Sequence, residues 1–488
     1  MSLYVLDEND FKNISTETKG VNMDRGVKSN INNHTIKSGK ISRNREKALD
    51  ILNKIEKDKA YSNIIFEKEL NKISSKRNDD EIDGHFSDNE ESNLKHINFS
   101  FVRNLVLGTL ENKLLLDYYI DRFLKHKLKK QSDLIRNILR LGIYQIIFMN
   151  SGKDYAICND MVAITKKRLR GYEGLVNGIL RNVIRSKDIL APPEGNDVKS
   201  MSTKYSIDES IINVWLDGYG LDKTIEICEN SCQRAPLFAR VNIGRINRDE
   251  AIDLLKVQGI TAFKTRESDR GIVIDQKSQA AAVTGKTFQD GIISFQDLSS
   301  IIAVDKIGIN ENDYILDMCA APGGKSTSAA ELAKHGKVVA WDVYQHKIDL
   351  IKRYANRCNL SNIEAYTYSA LEFQLDYDEC FDKVIVDPPC SGLGVIRRRP
   401  EIRYKSMEDF NLPNQQLSML KLAARYIKPQ GSILYSTCTI NKEENDGLIK
   451  KFMSLGYNED FDILYEQQIF TGDFGADGFY ICILKKRG

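Results

Sequence analysis

The sequence predicts a multidomain molecule in three folded parts: an all-α region, a small α+β part and a C-terminal doubly wound α/β domain. Three observations predict it. All nine prolines lie at or beyond Pro192, and the proline-free stretch before them carries apolar residues at helical spacing, which suits helices because proline breaks their interiors. From about residue 288 onward, short β-rich runs alternate with helical runs of ten or more residues, the pattern of a mostly parallel sheet with crossover helices. Between these regions, short helical and strand-like pieces are mixed.

Taken in order, residues 1–40 are polar and poor in large apolar groups, which predicts a disordered extension. In 43–59, Ala48, Leu49, Ile51, Leu52 and Ile55 recur at helical spacing. The run SSKRNDDEIDGHFSDNEESNLKH, 74–96, is charged and apolar-poor and predicts a surface insertion. Helical patterns follow over 99–112, 114–124, 132–148, 154–170 and 172–186, giving a bundle over 41–188. A linker over 189–202 follows from the Pro, Gly and Asn of LAPPEGNDVKS. The α+β part, 203–287, has helices at 209–219 and 221–232 and strands at 237–241 and 271–274. In 288–488 the predicted strands are 314–318, 337–341, 363–367, 383–386, 432–435 and 479–484. Helices are predicted at 326–335, 346–358 and 413–427.

The composition narrows the function classes. A chain of 488 residues accommodates about three domains at roughly 150 residues each. Lys plus Arg number 70 against 68 Asp plus Glu, so any nucleic-acid surface must be a local patch. No apolar run approaches the roughly 20 residues of a membrane helix, and MSLYVLDENDFKN lacks the pattern of a secretory signal. The nine cysteines are scattered and odd in number, which fits a reducing cytosol better than a disulfide framework. Cys228 and Cys232 are four apart with no second ligand pair near by, so no metal is expected.

Three motifs carry chemistry. In YILDMCAAPGGKSTSAAEL, 314–332, a buried strand enters a loop with Gly323 and Gly324 and then a helix. Glycines let backbone approach a ligand, and the helix start offers free N–H groups. The spacing is neither a dinucleotide nor a Walker fingerprint. The next strand ends in VVAWDV, where Asp342 can accept hydrogen bonds from ribose hydroxyls. In KVIVDPPCSGLG, 383–394, a strand delivers Asp387 and two prolines fix the backbone before Cys390. In GSILYSTCTINKEEN, 431–445, a strand presents Ser436, Thr437 and Cys438. Two thiols thus leave the carboxyl ends of separate strands, where such sheets place ligands. Spacing alone does not choose between them as nucleophile.

Together DMCAAPGGK, DPPCSGLG and YSTCTINKEEN resemble the RNA cytosine-C5 methyltransferases, which use S-adenosylmethionine on a Rossmann-like domain. Upstream, REKALDILNKIEKDKAYSN, NILRLGIYQIIFM and GLVNGILRNVIR resemble the NusB-like RNA-binding domain of one bacterial branch, the small-subunit ribosomal RNA methyltransferases B. The resemblance covers about 41–488. It implies that Cys319, Ala320, Ala321, Pro322, Gly323, Gly324 and Lys325 line the methionine and ribose end of the cofactor. Asp342 would hold the ribose, and Asp387 would lie between cofactor and target base. Cys438 would be the nucleophile, with Cys390 assisting product release. The family's acid near the adenine is replaced here, in EAYTYSALEF, by Ser369 or Tyr368.

The chemistry explains the residue types. C5 of cytosine is a weak nucleophile; a thiolate added to C6 makes the ring an enamine that C5 can use to attack a methyl group. The base must leave its stack, as RNA loops and bulges allow. Arg397, Arg398 and Arg399 directly follow the catalytic loop and are candidate RNA contacts, as are Lys125, Lys127, Lys129, Lys130, Lys166, Lys167, Arg168 and Arg170. The expected protein is a cytoplasmic monomer methylating C5 of a specific cytosine in 16S, small-subunit ribosomal RNA. The alternatives are a 5-methylcytosine transferase for transfer RNA or another RNA, and a non-catalytic RNA-binding assembly factor.

Overall fold

The computed structural model describes residues 39–58, 62, 64–69, 97–124, 132–149, 153–407 and 412–488. They form two compact units. One runs to Ile212 and takes in Arg399–Tyr404; the other holds Asn213–Arg398 and Lys405–Gly488. The extension expected over 1–40, except its last two residues, lies outside the described residues. So do the 74–96 insertion and the lysines at 125, 127, 129 and 130.

The first unit is helical: α1 (Gly39–Asp58), α2 (Phe99–Glu111), α3 (Lys113–Asp121), α4 (Asp133–Phe148), α5 (Asp154–Arg168), α6 (Glu173–Ser186) and α7 (Val198–Tyr205). The side chains of Asn98 and Ser132 accept from Phe101 N and Ile135 N and cap α2 and α4. The apolar stripe of α1 (Ala48, Leu49, Ile51, Leu52, Ile55) is buried with those of α2 and α4. Arg140, nearly buried, is gripped by both Asp117 oxygens at 2.6 Å and by Glu56 at 3.0 Å. Arg399–Tyr404 packs here: Arg403 donates to Tyr205 O (2.9 Å), and its carbonyl accepts from Asp208 N (2.8 Å). The linker is shorter than the sequence predicts. Asp197 accepts from Ser200 N and starts α7 where continued loop was expected.

The border at Ile212 falls inside α8 (Glu209–Ser231), read from sequence as two helices and interrupted at Gly220, φ 77°; its larger part begins the second unit. Next come β1 (Leu237–Val241), α9 (Arg248–Val257), β2 (Ala262–Lys264), β3 (Gly271–Ile274), α10 (Gln279–Thr284) and β4 (Ile293–Phe295). These strands form an antiparallel sheet ordered β2-β3-β1-β4. Because β4 pairs with β1 (Ala239↔Phe295), the small domain extends past the expected border at 287.

The remainder is α11 (Leu298–Lys306), β5 (Tyr314–Asp317), α12 (Gly324–Leu332), β6 (Lys337–Asp342), α13 (Gln345–Arg357), β7 (Ile363–Thr367), β8 (Phe381–Val386), α14 (Pro413–Tyr426), β9 (Ile427–Thr437), α15 (Asp446–Phe452), β10 (Phe461–Ile469) and β11 (Phe479–Lys486). The seven-stranded sheet is ordered β10-β11-β9-β8-β5-β6-β7. Its β5, β6, β7, β8 and β9 are parallel, while β11 runs antiparallel to β9 and β10. The β10 strand was not foreseen: FDILYEQQI is an edge strand with one wet face, so polar residues dilute its β signal. From β5 the chain goes outward to β6 and β7, then crosses back to β8. That reversal opens a crevice beyond the carboxyl ends of β5 and β8.

Candidate active site

The crevice is built by the three predicted motifs. After β5 the chain turns at Gly323, φ 107°, where a Cβ would stand 3.3 Å from the Ile351 backbone. Only glycine takes that conformation without strain against α13. Cys319, Ala320, Ala321, Pro322, Gly324, Lys325 and Asp387, all expected site residues, line one cleft there. Lys325 Nζ lies 2.7 Å from Asp387 Oδ2, and Ser436 Oγ donates to Asp387 Oδ1 at 3.0 Å. The carboxylate at the end of β8 is thereby fixed between the β5 loop and the tip of β9. Asp342 stands at the end of β6, 7% exposed, with Lys347 Nζ at 3.2 Å. Ser369 lies beyond β7 and accepts from Leu371 N at 3.2 Å, while the Tyr368 ring meets Trp341 edge-on.

Asp317 joins this cleft and was missed in the sequence. Burial pushes its carboxyl up to about 7. Its Oδ2 accepts from Ser326 Oγ at 2.6 Å, and its Oδ1 is buried with no hydrogen-bond partner. The available signal was an acid closing the apolar strand YILD. A buried, half-satisfied carboxyl in a cleft calls for a cationic or hydrogen-bonding ligand. A methionyl ammonium beside Asp317 and ribose hydroxyls at Asp342 fit these groups, so the donor set suits S-adenosylmethionine.

Past Asp387, Cys390 Sγ and Cys438 Sγ are 3.2 Å apart, both half-buried and outside any disulfide. The Cys438 carbonyl accepts from Gly394 N at 3.1 Å. Gly394 itself sits so close to Gly478 that a Cβ would fall 1.9 Å from its carbonyl oxygen. The neighbouring sulfur, burial, and the carboxylates of Glu444 and Asp387 raise the Cys390 thiol. Burial and surrounding carboxylates also raise Cys319, whose sulfur rests 3.9 Å from Met419 Sδ; it is an uncharged lining group.

Two predicted RNA contacts need correction. Arg397 is buried and donates to Asp477 Oδ1 and the Gly475 carbonyl, both at 2.6 Å. Arg398 pairs with Asp477 and donates to Asp297 Oδ2 (2.9 Å) and Pro236 O (3.0 Å). The two guanidiniums fasten the segment after the Cys390 loop, Arg397 to the interior and Arg398 to the interior and the small domain. In a linear sequence these arginines look like an exposed basic run, because their acids are 80 and 101 residues away. Arg399 is half-buried and belongs to the helical unit. In that unit Lys167 and Arg168 lie 2.9 Å and 3.0 Å from Glu46 and Asp50, so part of that basic run is already neutralised.

The small domain reaches the start of α12. Arg240 on β1, fully buried, donates to both Glu331 oxygens (2.8 and 2.9 Å), Thr327 Oγ1 (2.8 Å) and the Gly324 carbonyl (3.0 Å). One side chain thus clamps the first turns of α12.

Comparison with known proteins agrees with this architecture. Residues 306–484 match the 16S rRNA methyltransferase RsmB/F family, 42–185 the NusB family and 209–281 the ferredoxin-like domain of RsmF/B-like methyltransferases. The chain is 32% identical over 470 residues to the probable ribosomal RNA small subunit methyltransferase B of Bacillus subtilis, covering 91% of this chain and 99% of that one. It is 28% identical over 403 residues to ribosomal RNA small subunit methyltransferase B of Proteus mirabilis, covering 81% and 92%. Among solved structures, PH0851 superposes with a TM-score of 0.71 at 21% identity, covering 91% of this chain and 99% of that chain. NSun6 from Pyrococcus horikoshii, with SFG, superposes with 0.51 at 18% identity, covering 58% and 98%. With its NusB-like helices, its ferredoxin-like sheet and its Rossmann-like domain, the chain belongs to the ribosomal RNA small subunit methyltransferase B family of S-adenosylmethionine-dependent enzymes.

Proposed function

We propose that this enzyme methylates C5 of a cytosine in small-subunit ribosomal RNA, with Cys438 as a covalent nucleophile. The observation that carries the reading is the close approach of two cysteine sulfurs, 3.2 Å apart, next to Asp387 of the cleft. Asp317–Lys325 and Asp342 would hold S-adenosylmethionine, which when bound would supply an electrophilic methyl group. The Cys438 thiolate adds to C6, forming a C–S bond and moving the ring electrons toward C5. C5 then bonds to the methyl carbon as that carbon's bond to the donor sulfur breaks, the electron pair staying on sulfur. A base then removes the C5 proton, the C–S bond breaks, and sulfur leaves with its electron pair. Cys390, kept protonated, donates its S–H toward the departing sulfur. Asp387, fixed by Lys325 and Ser436, faces the pyrimidine edge and supports protonation there.

Ribosomal RNA is favoured over transfer RNA by the relatives' names and by the NusB match. The proposed RNA contacts are Arg399 and the exposed Lys166, Lys167, Arg168 and Arg170, on a monomer working in the cytosol. A non-catalytic assembly factor would have no need of the tied thiol pair. The test is methyl transfer to protein-free small-subunit RNA with mapping of the modified base, on wild type and on Cys438→Ser and Cys390→Ser. Loss with Cys438→Ser is expected. Loss with Cys390→Ser but not with Cys438→Ser would overturn the assignment.

A further inference from the structure

We infer that Glu444 is the positioning residue of the two-thiol site: its buried carboxylate ties the Cys390 loop to the Cys438 loop and sets a fixed negative charge beside Cys390, so that the reactive thiolate forms on Cys438. The inference rests on Cys438 being the nucleophile.

Glu444 is 1% exposed. Its Oε2 accepts from Ser391 N and from Gln416 Nε2, both at 2.9 Å. Its Oε1 accepts from Asn441 Nδ2 at 3.0 Å. The first two donors hold the residues flanking Cys390, because Gln416 Nε2 also donates to the Pro389 carbonyl at 2.9 Å. The third belongs to the turn that follows Cys438. A contact of 2.7 Å between Ser391 Oγ and Thr439 Oγ1 closes the same bridge one residue beyond each thiol.

A buried carboxylate is ordinarily matched by a cation. Among the described residues no lysine or arginine pairs with Glu444; neutral donors alone satisfy it. Its charge is therefore left to act on its surroundings, where the ionisable groups are Cys390 and Tyr435; Tyr435 already donates to the Glu444 carbonyl at 2.8 Å, which leaves Cys390 as the group the charge acts on. The groups acting on that thiol are Cys438, Glu444 and Asp387, and Asp387 is matched by Lys325. Glu444 is the carboxylate there without a counterion. A negative charge disfavours a second anion next to it. Cys390 stays protonated and is the donor across the 3.2 Å contact, leaving Cys438 to carry the reactive electron pair.

Glu444→Gln keeps the shape and removes the charge. Both cysteines are followed by iodoacetamide labelling and peptide mapping near neutral pH, and covalent addition is followed on RNA containing 5-fluorocytosine. In the wild type Cys438 labels faster than Cys390 and carries the adduct. In the variant, Cys390 labelling rises about tenfold or more, as expected when the neighbouring negative charge is removed and the thiolate forms more readily. Adduct formation slows at least several-fold, while affinity for S-adenosylhomocysteine is unchanged. Unaltered labelling of Cys390 and an unaltered adduct rate would overturn the inference. Should that variant fail to fold, Gln416→Met removes the donor shared by Pro389 and Glu444; it is expected to slow adduct formation with cofactor binding intact, and an unchanged rate would count against Glu444. A wild-type adduct on Cys390 strikes the nucleophile assignment instead, and the labelling ratio, which needs no RNA, separates the two failures.

Discussion

At the scale of single residues, the site works by placing charges that burial makes expensive. Asp317 illustrates the consequence for pH. Its folded-state value, about 7, lies above that of a free aspartate, so folding favours its protonated form. That contribution to stability is full below about pH 4, shrinks as the pH climbs, and is gone once the pH passes the folded-state value. The stability difference between wild type and Asp317→Asn, measured by denaturant unfolding without cofactor, is therefore expected to move against the wild type between pH 4 and 7 and level off above. A flat difference would contradict the buried, half-satisfied carboxyl. Binding of a cationic cofactor group needs the ionised form, so S-adenosylmethionine affinity should rise through the same interval in the wild type only. Which residues gather at the cleft was largely legible: those from Cys319 to Lys325 and the two thiols stand in motifs of consecutive residues. Asp317 escaped because its importance comes from burial with one oxygen unsatisfied, and Glu444 because its partners Ser391 and Gln416 lie far along the chain.

Elements matter here through the fastenings between them. Arg240 joins β1 of the small sheet to α12 by charge and hydrogen bonds at zero exposure. Replacing it by Met leaves Glu331 buried with Arg270 no nearer than 3.8 Å, and should cost about 3 kcal/mol in urea unfolding, together with weaker binding of S-adenosylhomocysteine. Retained stability and affinity would show that the clamp is dispensable. Gly394→Ala presses a methyl group into the Gly478 backbone and loosens the tie to Cys438; a loss of about 1–3 kcal/mol is expected, with methyl transfer falling further than cofactor affinity. Elements with strong periodicity, such as α1, β5 and β8, could be read directly from the chain. The wet edge strand β10 could not, nor could β4, whose three residues acquire their meaning from pairing with β1.

For the whole molecule, a net charge of only +2 means that RNA affinity must come from local patches. Lys166 and Arg170 are exposed in the helical unit. Reversing both to Glu should weaken RNA binding across sequences and reduce the salt dependence by about two phosphate contacts, while leaving S-adenosylhomocysteine affinity unaltered. An undiminished salt slope would remove the helical unit's basic run from the RNA interface. The three-part organisation was legible because each part has its own pattern. The placement of Arg399–Tyr404 in the helical unit was not, since nothing local distinguishes those residues from their neighbours in the other unit.

The most direct test follows from the chemistry of elimination. On the proposed pathway Cys438 leaves the methylated ring only after the C5 proton is removed, and fluorine at C5 takes that proton's place. On small-subunit RNA carrying 5-fluorocytosine, with S-adenosylmethionine present, the enzyme is expected to accumulate a methylated RNA–protein adduct that peptide mapping assigns to Cys438. Methylation of the natural RNA with no such adduct, or an adduct on Cys390, would contradict the account.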